Sequence, residues 1–196
     1  VREGLKALKK VFLRIDGDQR YTEQKLVGGF DPALVLKQGY QKHSFLKGPL
    51  IEAMEKGCVL FINELNRMPD GVQNVLLPAI DEGRVDVPKI GTIQASPGFC
   101  VIATQNPKEF VATSHLSEAI LDRFEMIELD YLSFEEEKSI VIDHLSSKNL
   151  TLEPHWIDAA VKLVRQTRES PEYKRGASIR AAFSLVELFV KSASQT

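Results

Sequence analysis

The chain has 196 residues, of which 43% are hydrophobic and 27% are charged, and its formal net charge is −2. A charge this close to zero gives no electrostatic basis for general nucleic-acid binding. No apolar run approaches the ~20 residues that span a bilayer, and the N-terminus alternates Lys with Leu at a helical period, unlike a secretory signal. We therefore expect a cytoplasmic globular protein, either one domain or a core with a small satellite.

The cysteines and histidines give no indication of a metal centre. Cys58 and Cys100 each open a predicted strand, and both are expected to be small buried hydrophobes in a reducing compartment. Their thiols would be close if the two strands are neighbours, but no structural disulfide is required. The four histidines lack metal-ligand spacing and are predicted to be surface or satisfied core residues.

The first third of the chain predicts short elements separated by breakers. Val1–Lys10 has the period of a helix, Val11–Ile15 predicts a strand, and Asp16–Asp18 predicts a turn. After a cluster of glycine and proline, Leu34–Leu36 and Ser44–Leu46 are predicted to be the two arms of a β insertion.

A helix starting near Pro49 leads into the most informative stretch of the sequence. Cys58–Ile62 is an unbroken apolar run that suits a strand buried on both faces, although its length alone also permits a helix segment. The run ends in the polar pair Asn63 and Glu64, at the carboxyl edge where ligands sit in open α/β sheets. An amphipathic helix is then predicted over Met68–Glu82.

Further strands follow this helix. Gly83–Pro97 alternates apolar and polar residues and predicts a hairpin. Phe99–Ala103 predicts a second buried strand, which is followed by the polar residues of Thr104–Pro107. Met126–Leu129 predicts a third buried strand, directly after Leu121–Phe124.

The pattern changes near Leu132, where strands stop and helices begin. Ser133 and Glu136 have the spacing of a capping box at a helix start. Two more helices are predicted to begin near Pro154 and near Ser178, with no strand between them. The sequence therefore predicts a helical unit at its C-terminal end.

Seven motifs together resemble the MoxR branch of the AAA+ ATPases and, more distantly, magnesium-chelatase and dynein-type modules. Any one of them is weak evidence, but they stand in the family order and cover nearly the whole chain. The motifs are Gly28–Pro32, Gly48–Leu50, Phe61–Arg67, Gln73–Leu76, Ala103–Pro107, Leu121–Phe124 and Gly176–Arg180.

The resemblance implies an α/β fold, a three-layer P-loop NTPase (AAA+) core with a parallel sheet followed by a small all-helical lid. Residues 1–132 would form the core, without its first strand and Walker A loop, and residues 133–196 would form the lid. The family's strand order would place the Cys58–Ile62 strand between the Val11–Ile15 and Phe99–Ala103 strands.

The resemblance also implies a site for ATP and Mg²⁺. Glu64 matches the Walker B glutamate, which polarises the water that attacks the γ-phosphate; the alternative is a solvated residue at a strand end. Asn63 stands where the family usually has an aspartate that steadies Mg²⁺ through its water shell. Because an amide brings no negative charge, we expect weaker metal binding at Asn63 rather than none, since Mg²⁺ keeps several waters.

Two more polar side chains have a counterpart in the family. Asn106 matches sensor 1, which bridges the γ-phosphate and the attacking water; alternatively it is a turn asparagine before Pro107. Arg180 matches sensor 2 near the start of a lid helix; alternatively it is an ordinary exposed helix arginine.

Two arginines have a family counterpart at a subunit interface. Arg123 matches the arginine finger, which reaches the neighbouring subunit's nucleotide with an always-charged, planar group. Its alternative is a surface salt bridge with Asp122 or Glu125. Arg67, in the segment after Walker B, is a candidate interface residue.

No G-x-x-x-x-G-K-[ST] motif occurs in the sequence. That loop supplies the main anion cradle of an ATP site, and in the family it precedes the helix predicted at Val1–Lys10. We therefore expect these residues to be an AAA+ module without Walker A, and little ATP turnover from them alone. The alternative is a true pseudo-ATPase.

The function implied by the resemblance is ATP hydrolysis coupled to the remodelling or maturation of partner proteins within a ring, expected to be a hexamer. Gly28–Pro49 and Gly83–Pro97 resemble inserts that touch the client, for which a von Willebrand A-type domain is one candidate; alternatively they are solvated loops. A non-catalytic scaffold is the rival function, favoured by Asn63 and the missing loop. Nucleic-acid remodelling is disfavoured because the inserts carry few lysines.

Overall fold

A computed structural model of the chain describes residues 11–106, 116–173 and 175–193. The chain divides into two compact units, Val1–Ile127 and Glu128–Thr196. The helix predicted over Val1–Lys10 lies outside the described residues. None of the helices within the described ranges is long and apolar enough to cross a membrane.

The described strands all belong to the first unit, whereas the second unit is described as helices and loops. The strands are β1 (Phe12–Asp16), β2 (Gly28–Phe30), β3 (Phe45–Lys47), β4 (Val59–Asn63), β5 (Arg84–Val87), β6 (Gly91–Gln94) and β7 (Cys100–Ala103). The α-helices are α1 (Glu23–Val27), α2 (Pro32–Gln38), α3 (Pro49–Lys56), α4 (Asp70–Asn74), α5 (Leu76–Asp81), α6 (Glu118–Leu121), α7 (Phe134–Ser147), α8 (Pro154–Glu169) and α9 (Ile179–Ala193). Single 3-10 turns cover Lys42–Ser44 and Leu65–Arg67.

A parallel sheet in the order β1-β4-β7 organises the first unit. β1 pairs with one side of β4 and ends with Asp16 opposite Asn63, while β7 pairs with the other side and ends with Ala103 opposite Ile62. All of Val59–Ile62 is buried, and because successive side chains of a strand point to opposite faces, both faces of β4 are covered. The predicted strand order and the α/β fold class are confirmed.

The segment between β1 and β4 differs from its prediction. Leu34–Leu36 lies in α2 and is not a β arm, whereas β3 does form, pairing antiparallel with β2. The helix starts here because the Asp31 carboxylate accepts from the backbone N–H of Ala33 at 2.8 Å, and Pro32 occupies the first helical position. An N-cap aspartate followed by proline favours a helix over a strand.

The helix predicted over Met68–Glu82 is two short helices, α4 and α5, which meet at Val75. Pro78 has no N–H with which to bond the carbonyl four residues earlier, and this loss accounts for the break. The predicted apolar face is still buried at Val72, Leu76 and Ala79. The hairpin that follows is confirmed as the antiparallel pair β5 and β6.

Three predictions of burial are wrong. The strand predicted over Phe99–Ala103 forms as β7, but none of its four residues is buried. Met126–Leu129 forms no strand in the described chain, and Met126, Ile127 and Leu129 are 68%, 82% and 87% exposed. Cys100 is exposed, whereas Cys58 is buried, and both thiols are free. Among the described strands β7 pairs only with β4, so its other edge is open. Met126–Leu129 has no strand partner among the described residues. Its backbone groups therefore stay outside the sheet, and its apolar side chains stay exposed.

The second unit packs α7, α8 and α9 around one apolar core, with Val141, Val161 and Val186 among its buried residues. The predicted capping box is present: the Ser133 hydroxyl accepts from the Glu136 N–H, and the Glu136 carboxylate accepts from the Ser133 N–H at 2.9 Å. This reciprocal pair satisfies donors that a helix start leaves unbonded.

A buried ionic cluster fixes the loop that leads into α9. Glu137 is 3% exposed, and its carboxylate accepts from Arg168 at 2.7 Å and from Arg165 at 3.1 Å. Arg168 Nε also donates to the carbonyl of Ala177 at 2.8 Å, while the Thr167 hydroxyl accepts from the N–H of the same residue. Ala177 is therefore held through both of its backbone groups, two residues before α9 begins.

Replacing Glu137 with Gln should destabilise the helical unit by about 3 kcal/mol, because it leaves the buried Arg168 guanidinium without its carboxylate. Urea unfolding followed by the fluorescence of Trp156, the single tryptophan of the sequence, would measure the loss. Glu135→Gln, an exposed change on the same helix, should alter the free energy of unfolding by less than about 0.5 kcal/mol. Equal unfolding midpoints for the two variants would contradict the structural role of the cluster.

Candidate functional site

The ends of the three parallel strands meet at one edge of the sheet, which we call the rim. Asp16 ends β1, Asn63 ends β4, and Thr104 follows β7 directly. Parallel strands that pair in register must finish side by side, and this edge is the usual position of ligands in open α/β sheets. Polar residues from three separate parts of the sequence are thus neighbours.

A chain of hydrogen bonds connects these polar side chains. Asn63 Nδ2 donates to Asp16 Oδ1 at 2.9 Å, and Thr104 Oγ1 donates to Asn63 Oδ1 at 3.1 Å. The backbone N–H of Glu64 donates in turn to Thr104 Oγ1 at 3.0 Å. Asn63 therefore uses both ends of its amide, and one threonine hydroxyl links β7 to the residue that follows β4.

Gly17 allows the turn after β1 to lie directly against β4. Its N–H donates to the Asn63 carbonyl at 2.7 Å. A Cβ at this position would lie 2.1 Å from the carbonyl oxygen of Glu64, which is a prohibitive overlap with backbone. A residue without a side chain is thus required for this close approach.

Glu64 has an unusual backbone conformation, with φ 57° and ψ 53°. This left-handed region is sparsely populated by residues other than glycine, asparagine and aspartate, and such strain clusters at functional sites. The conformation turns the chain sharply from β4 into the 3-10 turn. The Glu64 carboxylate accepts from Arg67 Nη1 at 2.7 Å, so the two side chains form an ion pair at the rim.

The loop after β7 lies beside the turn after β4. Leu65 N–H donates to the Thr104 carbonyl at 2.9 Å, and Asn66 Nδ2 donates to the Asn106 carbonyl at 3.4 Å. Asn66 is itself buried. The backbone of Asn106 therefore lies beside the turn that follows Glu64.

Arg123 forms an ion pair within its own unit, as the alternative to the arginine-finger role proposed, but with a different partner. Its Nε donates to the carboxylate of Asp81 at the end of α5, and its Nη1 donates to the carbonyl of Ala119 at 2.7 Å. The surface pairing with Asp122 or Glu125 is therefore wrong. The fold brings Asp81 close to Arg123, although the two residues are 42 positions apart in the sequence.

Arg180 lies on the first turn of α9, in the helical unit, and is exposed. Within the described chain its guanidinium has no hydrogen-bond or ion-pair partner. Its convergence on the rim of the first unit stays a prediction.

Comparison with known families identifies the chain. The profile of the AAA domain, dynein-related subfamily, matches residues 1–124. The chain belongs to this family. The AAA domain therefore accounts for nearly the whole of the first unit, including every rim residue described above.

The curated relatives include uncharacterized proteins of two staphylococci. The chain is 32% identical over 162 residues to a protein of Staphylococcus epidermidis and 31% identical over 166 residues to one of Staphylococcus aureus; the match covers 82% of this chain and 61% of the relative in both comparisons. The chain thus spans about three fifths of the relatives that it matches.

Two solved structures are similar to this AAA domain chain. A protein from Cytophaga hutchinsonii, which is named as a proposed ATPase, is 26% identical with a TM-score of 0.53; the match covers 92% of this chain and 63% of that one. A variant of RuvB from Thermotoga maritima has a TM-score of 0.52 at 20% identity, and the match covers 94% and 56%. The second likeness concerns the fold alone. Both agree with an α/β P-loop NTPase architecture.

The rim residues fit the Mg²⁺ and nucleotide that an AAA domain implies, but only as outer contacts. The donors are carboxylate, amide and hydroxyl oxygens from Asp16, Asn63, Glu64 and Thr104, which suit a hard cation. Hydrogen bonding to Arg14 lowers the pKa of Asp16, which keeps that side chain ionised. Among the described residues no group of three or more His, Cys, Asp and Glu could hold a metal by itself. The phosphates would therefore hold the ion, with the protein contacting its waters.

Three rim residues were not among the sequence-predicted site residues. Asp16 and Gly17 were predicted only as part of a turn, and Thr104 only as one residue of a motif. The sequence does carry a signal that Asp16 and Thr104 lie at the rim, because each directly follows a predicted strand, Val11–Ile15 or Phe99–Ala103. Only the tertiary structure shows that they are bonded to Asn63 and Glu64.

Replacing Thr104 with Val should destabilise the rim of the AAA domain by about 1–3 kcal/mol, because the Glu64 N–H and the Asn63 amide oxygen lose their shared hydroxyl. Hydrogen–deuterium exchange should show faster exchange of the Glu64 amide. Thr104→Ser keeps the hydroxyl and should preserve protection. Unchanged exchange in the valine variant would show that this bond does not hold the rim.

Proposed function

We propose that the whole protein is a MoxR-type AAA+ ATPase that remodels or matures partner proteins within a ring, with a hexamer as the expected assembly. The observation that carries this proposal is the rim, where Thr104 is hydrogen-bonded to both Asn63 and Glu64, and the Asn106 carbonyl accepts from Asn66. Phosphoryl transfer requires positioning and charge neutralisation more than covalent chemistry from the protein. A rigid sheet edge supplies such positioning.

In this proposal Glu64 orients and polarises the water that attacks the γ-phosphate, and Asn106 contacts the γ-phosphate and that water. The strained backbone at Glu64 supports the role, because strain of this kind accompanies functional sites. Glu64 is bonded to Arg67 in the structure, so the pair would have to separate before the carboxylate could face a water. ATP would supply the reacting phosphate, and Mg²⁺ would neutralise the negative charge of that phosphate.

Arg123 and Arg180 are proposed to complete the site as arginine finger and sensor 2. A guanidinium is always charged and can bind phosphate oxygens through two donors. Arg123 is bonded to Asp81 within its own chain, so a finger role would require exchange of that partner when a neighbouring subunit docks. Arg67, also near the rim, is proposed to lie at the same interface.

The phosphate loop is proposed to lie outside residues 1–196, together with the strand that precedes it. Three facts support this: β7 has an open edge among the described strands, the apolar residues Met126, Ile127 and Leu129 are exposed, and the chain spans 61% of its relatives. An inserted strand would pair with the β7 edge and cover that apolar segment. The core would then be 1–132 and the lid 133–196, with little turnover from these residues alone.

Partners are proposed on the basis of the family alone. The insert containing β2 and β3 and the hairpin of β5 and β6 project side chains that a client could contact, and a von Willebrand A-type domain is one candidate client. A non-catalytic scaffold is the second candidate function. It is favoured by Asn63, which brings no charge to the position of the Walker B aspartate.

ATP hydrolysis by the full-length protein tests the proposal. Glu64→Gln should lower kcat by roughly 10²- to 10⁴-fold, the usual contribution of a positioned acid–base group, while leaving ATP binding largely intact. Glu169→Gln, an exposed change in the helical unit, should leave kcat unchanged. Nucleotide binding without hydrolysis in the wild type would support the scaffold, and equal kcat in the wild type and the glutamine variant would remove Glu64 from the mechanism.

A further inference from the structure

We propose that Asp16 supplies the negative charge that Asn63 lacks, so that a carboxylate on β1, rather than on β4, acts on the water shell of nucleotide-bound Mg²⁺. This inference rests on the proposed function. Its basis is the register of the sheet, which places Asp16 directly opposite Asn63 at the rim. The two side chains are hydrogen-bonded at 2.9 Å.

Both ends of the Asn63 amide are hydrogen-bonded to side chains of the neighbouring strand ends. Its oxygen accepts from the Thr104 hydroxyl, and its nitrogen donates to Asp16 Oδ1. Asn63 therefore links two strand ends and adds no charge of its own. The carboxylate next to it is Asp16, which is 61% exposed.

The Asp16 carboxylate keeps one oxygen available. The hydrogen bonds described for it, from Arg14 and from Asn63, both go to Oδ1, and Oδ2 has no partner within the described chain. An outer-sphere contact to Mg²⁺ requires only an acceptor for a metal-bound water. A carboxylate at Asp16 lies one strand away from the β4 position. Its attraction for the cation is weaker there but is not lost, because Coulomb energy falls only as the inverse of distance.

A purely structural role for Asp16 is the competing explanation. Asp16 pairs with Arg14 at 2.6 Å, and their side chains are 61% and 42% exposed. Pairs exposed to this extent contribute little to stability, so the pair alone gives no strong reason for an aspartate at the rim. The two explanations differ in what they predict for Mg²⁺.

The test is a Mg²⁺ titration of the full-length protein with a fluorescent, non-hydrolysable ATP analogue. Asp16→Asn keeps an oxygen that can accept from Asn63 Nδ2, so it removes charge while preserving shape. We expect the apparent Mg²⁺ affinity to fall at least about tenfold, with nucleotide affinity in EDTA unchanged. Asp18→Asn, two residues away and paired with Arg20, is the matched control and should lower the Mg²⁺ affinity much less than Asp16→Asn.

Two further variants establish whether charge is the cause. Asn63→Asp combined with Asp16→Asn should restore Mg²⁺ affinity, because it returns the carboxylate to β4. Arg14→Gln should strengthen Mg²⁺ binding, since it removes a competing cation. Failure of the double variant to restore affinity, or identical titrations for the Asp16 and Asp18 variants, would overturn the inference. If the wild-type protein binds no nucleotide in the presence of Mg²⁺, the proposed function fails as well. If it binds nucleotide but the Asp16 variants behave like the control, only the role of Asp16 fails.

Discussion

Parallel pairing on both sides of β4 is the constraint on which the rest of the first unit depends. Each neighbouring strand runs in the same direction as β4, so all three finish at one rim. The apolar run that forms β4 is buried on both faces, and this burial fixes the strand at the centre of the sheet. Residues distant in sequence can then be bonded to one another at the rim without a dedicated binding loop.

The rim also explains why asparagine suits position 63 in this chain. An aspartate there would place its carboxylate against that of Asp16, and like charges at that distance disfavour ionisation of both groups together. The amide avoids the repulsion and gains two hydrogen bonds. Asp16 and Asn63 therefore form one hydrogen-bonded unit, in which the negative charge lies on Asp16.

The helical unit has a different source of order. Its core is apolar, but the loop before α9 is held by buried ionic contacts around Glu137 and Arg168. A buried pair of this kind costs desolvation when it forms, and losing one partner costs more than losing the pair. The cluster thus fixes the start of the helix that carries Arg180, through side chains that give no signal of function in the sequence.

The sequence by itself determined the elements whose signals are local: the central apolar strand, the capping box at Ser133 and the hairpin after Gly83. It also indicated the rim, because polar residues that follow parallel strands must meet at one edge. Only the tertiary structure decided the partner of Arg123, the bond between Asp16 and Asn63, and the exposure of Met126–Leu129. Each of these depends on which segment becomes a spatial neighbour, and apolarity or charge along one segment does not specify that neighbour.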